Sequence, residues 1–299
     1  MMNKLTPPDL QESEAFLTDL FQQVKIWEGN LSGGETLNVG ATAVERLLST
    51  KIQFGNPTHN LTRLTPARFK QLGIELAPLI RQQMDERDFY YMTLGADMRP
   101  EPGAQFKVLA CELNFGPKGL DEPIIQTIFP QSRWRPVLSW GGGLSLTLDG
   151  NLSWGVGVDA SKLSQLLNLP DELKAFVTNK DELKSFIVVP DYTYELGRFE
   201  IVAFGEGNSE CYWYIDEPDL QKKATVQFGI IFKVPKKTAS VELRGLVWTE
   251  PRMNWLVAQV ENVFGYLSDQ LKTLLGSKDK AANKFARGAA EKWVLPLPN

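Results

Sequence analysis

Histidine and cysteine are both scarce in this chain. Of its 299 residues, 1 is histidine and 2 are cysteines. A single histidine excludes most catalytic triads and histidine-rich metal sites, and His59 lies in a polar stretch where bracing a loop is its expected role. Cys111 and Cys211 are far apart and belong to no CxxC pair, so we expect buried free thiols rather than a zinc site.

Long apolar runs, catalytic motifs and excess positive charge are missing as well. No stretch reaches the roughly 18 apolar residues of a membrane-spanning helix, and the N-terminal residues have no secretory-signal pattern. Phosphate-loop, GxSxG, HExxH and EF-hand motifs are not found. The net charge of -4 and pI near 5.3 argue against binding to nucleic acid. We therefore expect a soluble, cytoplasmic protein with no catalytic residue, cofactor, metal or nucleic-acid partner.

Hydrophobic periodicity divides the chain into three zones. Residues 1–88 carry apolar residues at steps of three and four, which predicts N-terminal helices that pack on a sheet. Residues 89–250 hold strand-length apolar runs separated by short connectors, which predicts an antiparallel β domain with a helical insertion near 161–185. Residues 251–299 predict a long C-terminal helix followed by a basic tail.

These zones together predict an α+β fold. Its centre is expected to be an antiparallel β-sandwich or a partly closed, barrel-like meander. The N-terminal helices should flank this sheet and the long C-terminal helix should cover it, because each amphipathic helix needs an apolar surface to pack on.

One stretch, SWGGGLSLTLDGNLSWGVGVD at 139–159, alternates apolar with small polar residues. A hairpin with a three-residue loop pairs Leu148 with Leu152 and Leu144 with Val156, which places all apolar residues on one face. The opposite face holds mainly Gly, Ser and Thr, and another body must cover it. That body is a backbone element of this protein, a partner or ligand, or the water of a pore whose hairpins turn their leucines to lipid.

Three functions remain open, each with its own candidate residues. The leading hypothesis is a non-enzymatic binding or assembly protein with a protein partner, contacted through Tyr212, Trp213, Tyr214, Gly141, Gly143, Trp154 and Gly155. The first alternative is a membrane-engaging, pore-forming-type effector, which would use Leu144, Leu146, Leu148, Leu152, Val156, Phe285 and Trp293. The second alternative is a carboxylate-dependent hydrolase built on Glu210 and Asp216.

Overall fold

The computed structural model describes residues 6–31, 38–67, 78–129, 156–157, 173–177, 188–190, 200–217, 220–222 and 224–298. Its α-helices are α1 Leu10–Leu31, α2 Val39–Ser49, α3 Pro78–Glu86, α4 Met253–Gln259 and α5 Asp269–Gly276. Short 3₁₀ helices cover Pro57–Asn60, Leu220–Lys222, Glu261–Tyr266 and Lys278–Phe285. Its strands are β1 Lys51–Phe54, β2 Leu61–Leu64, β3 Arg87–Arg99, β4 Phe106–Gly116, β5 Ile124–Phe129, β6 Val156–Gly157, β7 Leu173–Val177, β8 Val188–Pro190, β9 Glu200–Phe204, β10 Glu210–Asp216, β11 Thr225–Pro235, β12 Ser240–Pro251 and β13 Arg287–Pro296.

Two antiparallel sheets form the centre of the fold. Sheet I has the order β1-β3-β11-β5, with β2 also pairing β3, and sheet II has the order β13-β12-β4-β10-β9. Alternate residues of each strand point between the sheets, as the two-residue period requires. Met92 of β3, Leu113 of β4 and Ile230 of β11 are all completely buried in this shared core. The predicted α+β sandwich is therefore confirmed.

Helix α1 begins at a capping aspartate. Asp9 accepts the backbone N–H groups of Gln11 and Glu12 at 2.9 and 3.1 Å, which satisfies two donors that an uncapped helix would leave free. Leu17, Leu20 and Val24 form the buried stripe of α1 and join the core of the sandwich. The predicted packing of amphipathic helices around the sheets follows from this apolar stripe.

The prediction of a long C-terminal helix is wrong, and of the two alternatives for the sheet the described part of the structure has the sandwich and not the partly closed barrel. Residues 253–285 form α4, α5 and two 3₁₀ helices instead of one continuous helix. A backbone contact fixes one break, because the Ser268 N–H donates to the Gln23 side-chain oxygen of α1 at 2.8 Å just before α5 begins. In the residues that the structure describes, the two sheets also remain separate layers.

The predicted basic tail forms the 3₁₀ helix Lys278–Phe285 and then strand β13. Residues 287–296 form β13, which pairs with β12 along its whole length. At Gly288 the two backbones come so close that a Cβ would stand 2.3 Å from the Val247 carbonyl oxygen. Glycine is the residue that permits this approach, because it has no Cβ.

Chain segments outside the predicted β zone also enter the sheets. β1 and β2 come from 1–88, which was predicted to supply helices, and β13 comes from 251–299. Within the insertion near 161–185, which we expected to be helical, Leu173–Val177 is strand β7. It pairs with β6 and β8 in a small third sheet, and the remaining residues of that insertion lie outside the described ones.

Candidate functional site

The two sandwich edges are built differently. At one edge, which we call the helix-covered edge, β1 of sheet I lies against β13 of sheet II, and α1 packs on β13 and on α2. The other edge, which we call the insertion edge, consists of β5 in sheet I and β9 in sheet II. Residues 130–199 leave from β5 and return at β9. This segment contains 139–159, so its attachment points are at the rim of the sandwich.

Hydrogen bonds hold the insertion edge together beside those attachment points. The Ile125 N–H donates to the Asn208 carbonyl, and the Gly207 N–H donates to the Ile125 carbonyl, both at 2.8 Å. The Thr127 hydroxyl also donates to the Glu206 carboxylate at 2.9 Å. These contacts fasten β5 to the turn between β9 and β10, so the two sheets are joined at the edge from which 130–199 departs.

The two carboxylates proposed for hydrolysis lie too far apart. Glu210 and Asp216 are the first and last residues of β10. At about 3.3 Å per residue along a strand their Cα atoms are roughly 20 Å apart, whereas a glycosidase pair requires roughly 5–10 Å. Asp216 is also in a 3.3 Å ion pair with Lys107, and Glu210 accepts a hydrogen bond from Asn114. The geometry does not support a shared carboxylate site.

The aromatic candidates for partner contact lie mostly inside the protein. Trp213 is 0% exposed and packs on Phe228, with ring centroids 4.7 Å apart. Tyr212, on the opposite face of β10, is 2% exposed and contacts Trp248. Both faces of this strand are therefore covered at these positions, and Tyr214 is half-buried. Burial of the ring and hydroxyl raises the pKa of Tyr212.

The hairpin candidates fall mainly outside the described residues. This applies to the partner candidates Gly141, Gly143, Trp154 and Gly155 and to the membrane candidates Leu144, Leu146, Leu148 and Leu152. Val156 is described and begins β6, where it pairs with Val177 of β7. A strand can pair with a neighbour along each of its two edges, so this contact does not test the predicted pairing of Val156 with Leu144.

The two membrane candidates near the C-terminus belong to the helix-covered edge. Phe285 is 0% exposed and lies in the core between the sheets and helices. Trp293 packs edge-to-face on Phe54 of β1, with ring centroids 5.2 Å apart and planes at 81°. Neither ring is presented on an amphipathic surface helix, because the residues form a 3₁₀ helix and a strand.

The cysteines and acidic groups form no reactive centre in the described part of the chain. Cys111 and Cys211 are buried free thiols, as predicted, and burial raises the pKa of both well above the usual range. No cluster of His, Cys, Asp and Glu able to hold a metal is present among the described residues. None of the described helices is long and apolar enough to cross a membrane.

Sequence reasoning missed Phe204 as a surface aromatic at the insertion edge. Phe204 ends β9, is 43% exposed and contacts Tyr212 at a centroid distance of 5.2 Å. The alternation in EIVAF predicts a strand but does not tell which face of it reaches solvent. Only the position of β9 at the end of sheet II leaves this ring partly uncovered.

Comparison with known proteins yields remote structural similarities. No family model matches the sequence, and no curated protein matches it either. Among solved structures, a Clostridium perfringens delta-toxin aligns over 55% of this chain and 68% of its own, at 9% identity and a TM-score of 0.28. A pore forming protein aligns over 67% and 78% at 8% identity and a TM-score of 0.29. The membrane-inserted form of the Clostridium perfringens NetB toxin aligns over 55% and 77% at 8% identity and a TM-score of 0.24. Similarities this weak establish neither a shared fold nor a shared activity.

Proposed function

We propose that this protein is a membrane-engaging protein of the pore-forming type and that 139–159 is the hairpin that enters the lipid. The observation that carries this proposal is the attachment of 130–199 to two edge strands, β5 and β9. Among the described strands, β5 pairs only with β11, and β9 pairs only with β10. A segment attached in this way can change its contacts while the central ladders of both sheets remain paired.

The sequence of the hairpin supplies the chemistry of insertion. Transfer of a leucine side chain such as Leu144, Leu146 or Leu148 from water to hydrocarbon is favourable by roughly 1.5–3 kcal/mol. The alternate residues are small and polar, and they suit a surface that faces water. Within lipid every backbone N–H and C=O requires a partner, so one hairpin must pair with hairpins from other copies of the chain. Assembly with its own kind is therefore part of this proposal.

The burial of the aromatic candidates favours this proposal over a partner surface on β10. Trp213 offers no exposed area, and Tyr212 offers almost none. A protein partner that binds this strand would have to displace core residues, at a free-energy cost that a surface contact does not incur. From the binding hypothesis we keep the idea that the protein assembles with a protein partner, and the partner we propose is a second copy of this chain.

Dye release from lipid vesicles tests the proposal directly. We expect the wild-type protein to release an entrapped dye, either on its own or after limited proteolysis. Leu146→Lys should abolish release, because a charge at the middle of the lipid-facing side costs roughly 2–4 kcal/mol. The matched variant Thr147→Lys places the same charge on the water-facing side and should still release dye.

Two results would contradict the proposal. The first is that wild-type protein releases no dye before or after proteolysis, although its unfolding curve shows that it is folded. The second is that Leu146→Lys and Thr147→Lys reduce release equally, which would show that the two faces of the stretch are equivalent.

A further inference from the structure

Two cations lie side by side on the outer face of sheet I. On β3, Tyr90 and Met92 point into the core, so Arg87 points to the opposite face. On β11, Phe232 and Val234 point into the core, so Lys233 shares that outer face. Arg87 pairs with Pro235, and Lys233 pairs with Phe89, which makes the two cations diagonal neighbours on adjacent strands.

Within the described part of the chain, neither cation is neutralised by an acidic side chain. The Lys233 ammonium donates to the side-chain oxygens of Gln83 on α3 and Gln126 on β5, at 2.9 and 3.2 Å, and both acceptors are neutral. The Arg87 Nη1 is buried and has no hydrogen-bond acceptor. Among the residues that the structure describes, no carboxylate forms an ion pair with either cation.

This arrangement is costly without an anion. Burial, followed by the positive charge of Arg87, lowers the pKa of Lys233, which shows that the surroundings disfavour its charged form. The other face of β3 is different, because Asp88 there receives hydrogen bonds from both Arg63 and Lys236 at 2.8 and 2.9 Å. The described residues thus supply counter-charges around Asp88 and none around Arg87 and Lys233.

We propose that Arg87 and Lys233 bind a phosphate-type oxyanion where α3 meets the outer face of sheet I. The planar guanidinium provides paired donors that suit a phosphate, and the ammonium provides a compact charge beside it. Gln83 and Gln126 hold the ammonium in place. Arg87 and Lys233 are both half-buried, so each side chain is partly accessible to solvent although Nη1 of Arg87 is not, and their charges are partly shielded from water.

The phosphate has two possible sources that share this chemistry: a lipid headgroup and free inorganic phosphate. With the headgroup as the source, the site rests on the proposed membrane function and would be its point of lipid recognition. Binding of inorganic phosphate in the absence of vesicles does not depend on that function, so the two proposals can fail separately.

Calorimetric titration of the full chain with inorganic phosphate, at constant ionic strength set with chloride, tests the site. We expect binding by the wild type and a dissociation constant raised about tenfold or more by Arg87→Gln or Lys233→Gln, because each variant loses a charge-assisted hydrogen bond. Arg81→Gln, which removes an exposed cation of α3, is the matched control and should bind phosphate like the wild type. Urea unfolding checks that each variant is folded, and Arg87→Lys should retain part of the affinity if Arg87→Gln is unstable.

A second arm distinguishes the sources by cosedimentation with vesicles of phosphatidylcholine alone and of phosphatidylcholine with phosphatidic acid. Vesicle binding that inorganic phosphate competes away, and that Lys233→Gln weakens, assigns the site to a headgroup. Phosphate binding without vesicle binding supports the site and assigns it to a soluble ligand. The proposal is overturned if the wild type does not bind phosphate, or if all variants bind it equally. It is also overturned if Arg87→Gln lowers stability without any change in phosphate affinity, because Arg87 would then serve only the C-terminal end of α3.

Discussion

The helix-covered edge and the insertion edge of the sandwich solve the same problem in different ways. Both are places where a sheet ends and backbone groups lack a further strand. At the helix-covered edge, α1 and the chain that follows α5 close the core with Leu17, Leu20 and Phe285, each completely buried. At the insertion edge, hydrogen bonds join β5 to the turn between β9 and β10, beside the points where 130–199 leaves β5 and enters β9.

The difference teaches that an amphipathic pattern does not identify its own apolar partner. The C-terminal tail and 139–159 both carry patterns that suit contact with lipid. The apolar side chains of the tail pack within the protein, because Phe285 lies in the core and Trp293 packs on Phe54. Residues 130–199, which contain 139–159, leave the described sandwich from β5 and return at β9, and under the proposed function lipid is the apolar partner of 139–159. The following predictions test this contrast, starting with the largest expected effect.

Replacement of Phe285 by alanine should destabilise the protein by about 3–5 kcal/mol, because it leaves a cavity in a fully buried site. The free energy of unfolding in urea measures this change. Lys284→Ala is the matched control, since the Lys284 side chain is 41% exposed and forms a surface ion pair with Glu12, and its effect should stay below about 1 kcal/mol. If both variants had equally small effects, Phe285 would not contribute to the core, and the contrast between the helix-covered edge and the insertion edge would not hold.

Glu28→Gln should cost about 1–3 kcal/mol by loosening the junction of α1 and α2 at the helix-covered edge. The buried Glu28 carboxylate accepts the backbone N–H groups of Gly40 and Ala41 at 2.7 and 3.0 Å. A glutamine keeps one acceptor but turns an NH₂ toward the other donor. Hydrogen exchange at the first turn of α2 should accelerate in the variant. Unchanged exchange there would show that the carboxylate does not hold the two helices together.

Asp88 should make part of the stability depend on pH. Burial by itself would raise the pKa of Asp88, but hydrogen bonds from Lys236 and Arg63 outweigh it and hold the pKa below its usual value. The stabilisation is therefore complete above about pH 4, the ordinary pKa of an aspartate, and is lost as the pH falls through the lower folded value. The Lys236 side chain is 41% exposed and that of Arg63 30%, so solvent screening limits the contribution to about 1–2 kcal/mol.

Comparison of urea unfolding for wild-type protein and Asp88→Asn at several pH values checks this dependence. The wild type should be the more stable at pH 7, and its advantage should shrink below about pH 4. An advantage that stays constant down to pH 2 would show that the charge of Asp88 is not the cause.

The cysteines should show the smallest effect, and they test whether the core beside the insertion edge is sealed. Cys111 pairs with Trp213 and Cys211 with Leu113, so the two thiols are diagonal neighbours on β4 and β10. Diagonal positions are about 7–8 Å apart, beyond the span that a disulfide prefers. We expect both thiols to stay reduced after mild oxidation and to react with a thiol reagent only after unfolding. Rapid reaction in the folded state would mean that this edge opens.

Most strands were predictable because their signal is local. The apolar alternation in β3, β4, β10, β11 and β12 coincides with the strands observed, and an antiparallel order follows from their short connectors. β1, β2 and β13 were missed because each is part of a sequence that resembles a loop or a helix, and only a neighbouring strand makes it extended. β13 illustrates this, since its place beside β12 depends on a close backbone approach at Gly288.

The C-terminal helix was predicted too long because short helices in succession show the same spacing as one continuous helix. Val260, Val263, Leu267 and Leu271 follow steps of three and four and are all buried. The chain nevertheless changes direction between them, where Gln23 of α1 binds the backbone of Ser268. Periodicity records which residues are buried and not whether the helix axis is continuous.

The candidate residues were predictable only in part. The sequence identified 139–159 by its alternation, but it did not reveal that the segment around it joins two sheets at their edges. It could not reveal that Arg87 and Lys233, which are far apart in the chain, become diagonal neighbours through the register of β3 and β11. The sequence also could not reveal that Trp213 is buried, since its burial depends on Phe228 from another strand.

The sequence by itself determined which residues seek an apolar environment, where most strands run and which chemistries lack their residues. The tertiary structure decided which apolar residues each strand or helix packs on, which charged side chains become neighbours and which two edge strands the segment 130–199 connects. The physical reason is that period and composition are properties of consecutive residues, whereas burial and electrostatic pairing arise between elements that are remote along the chain.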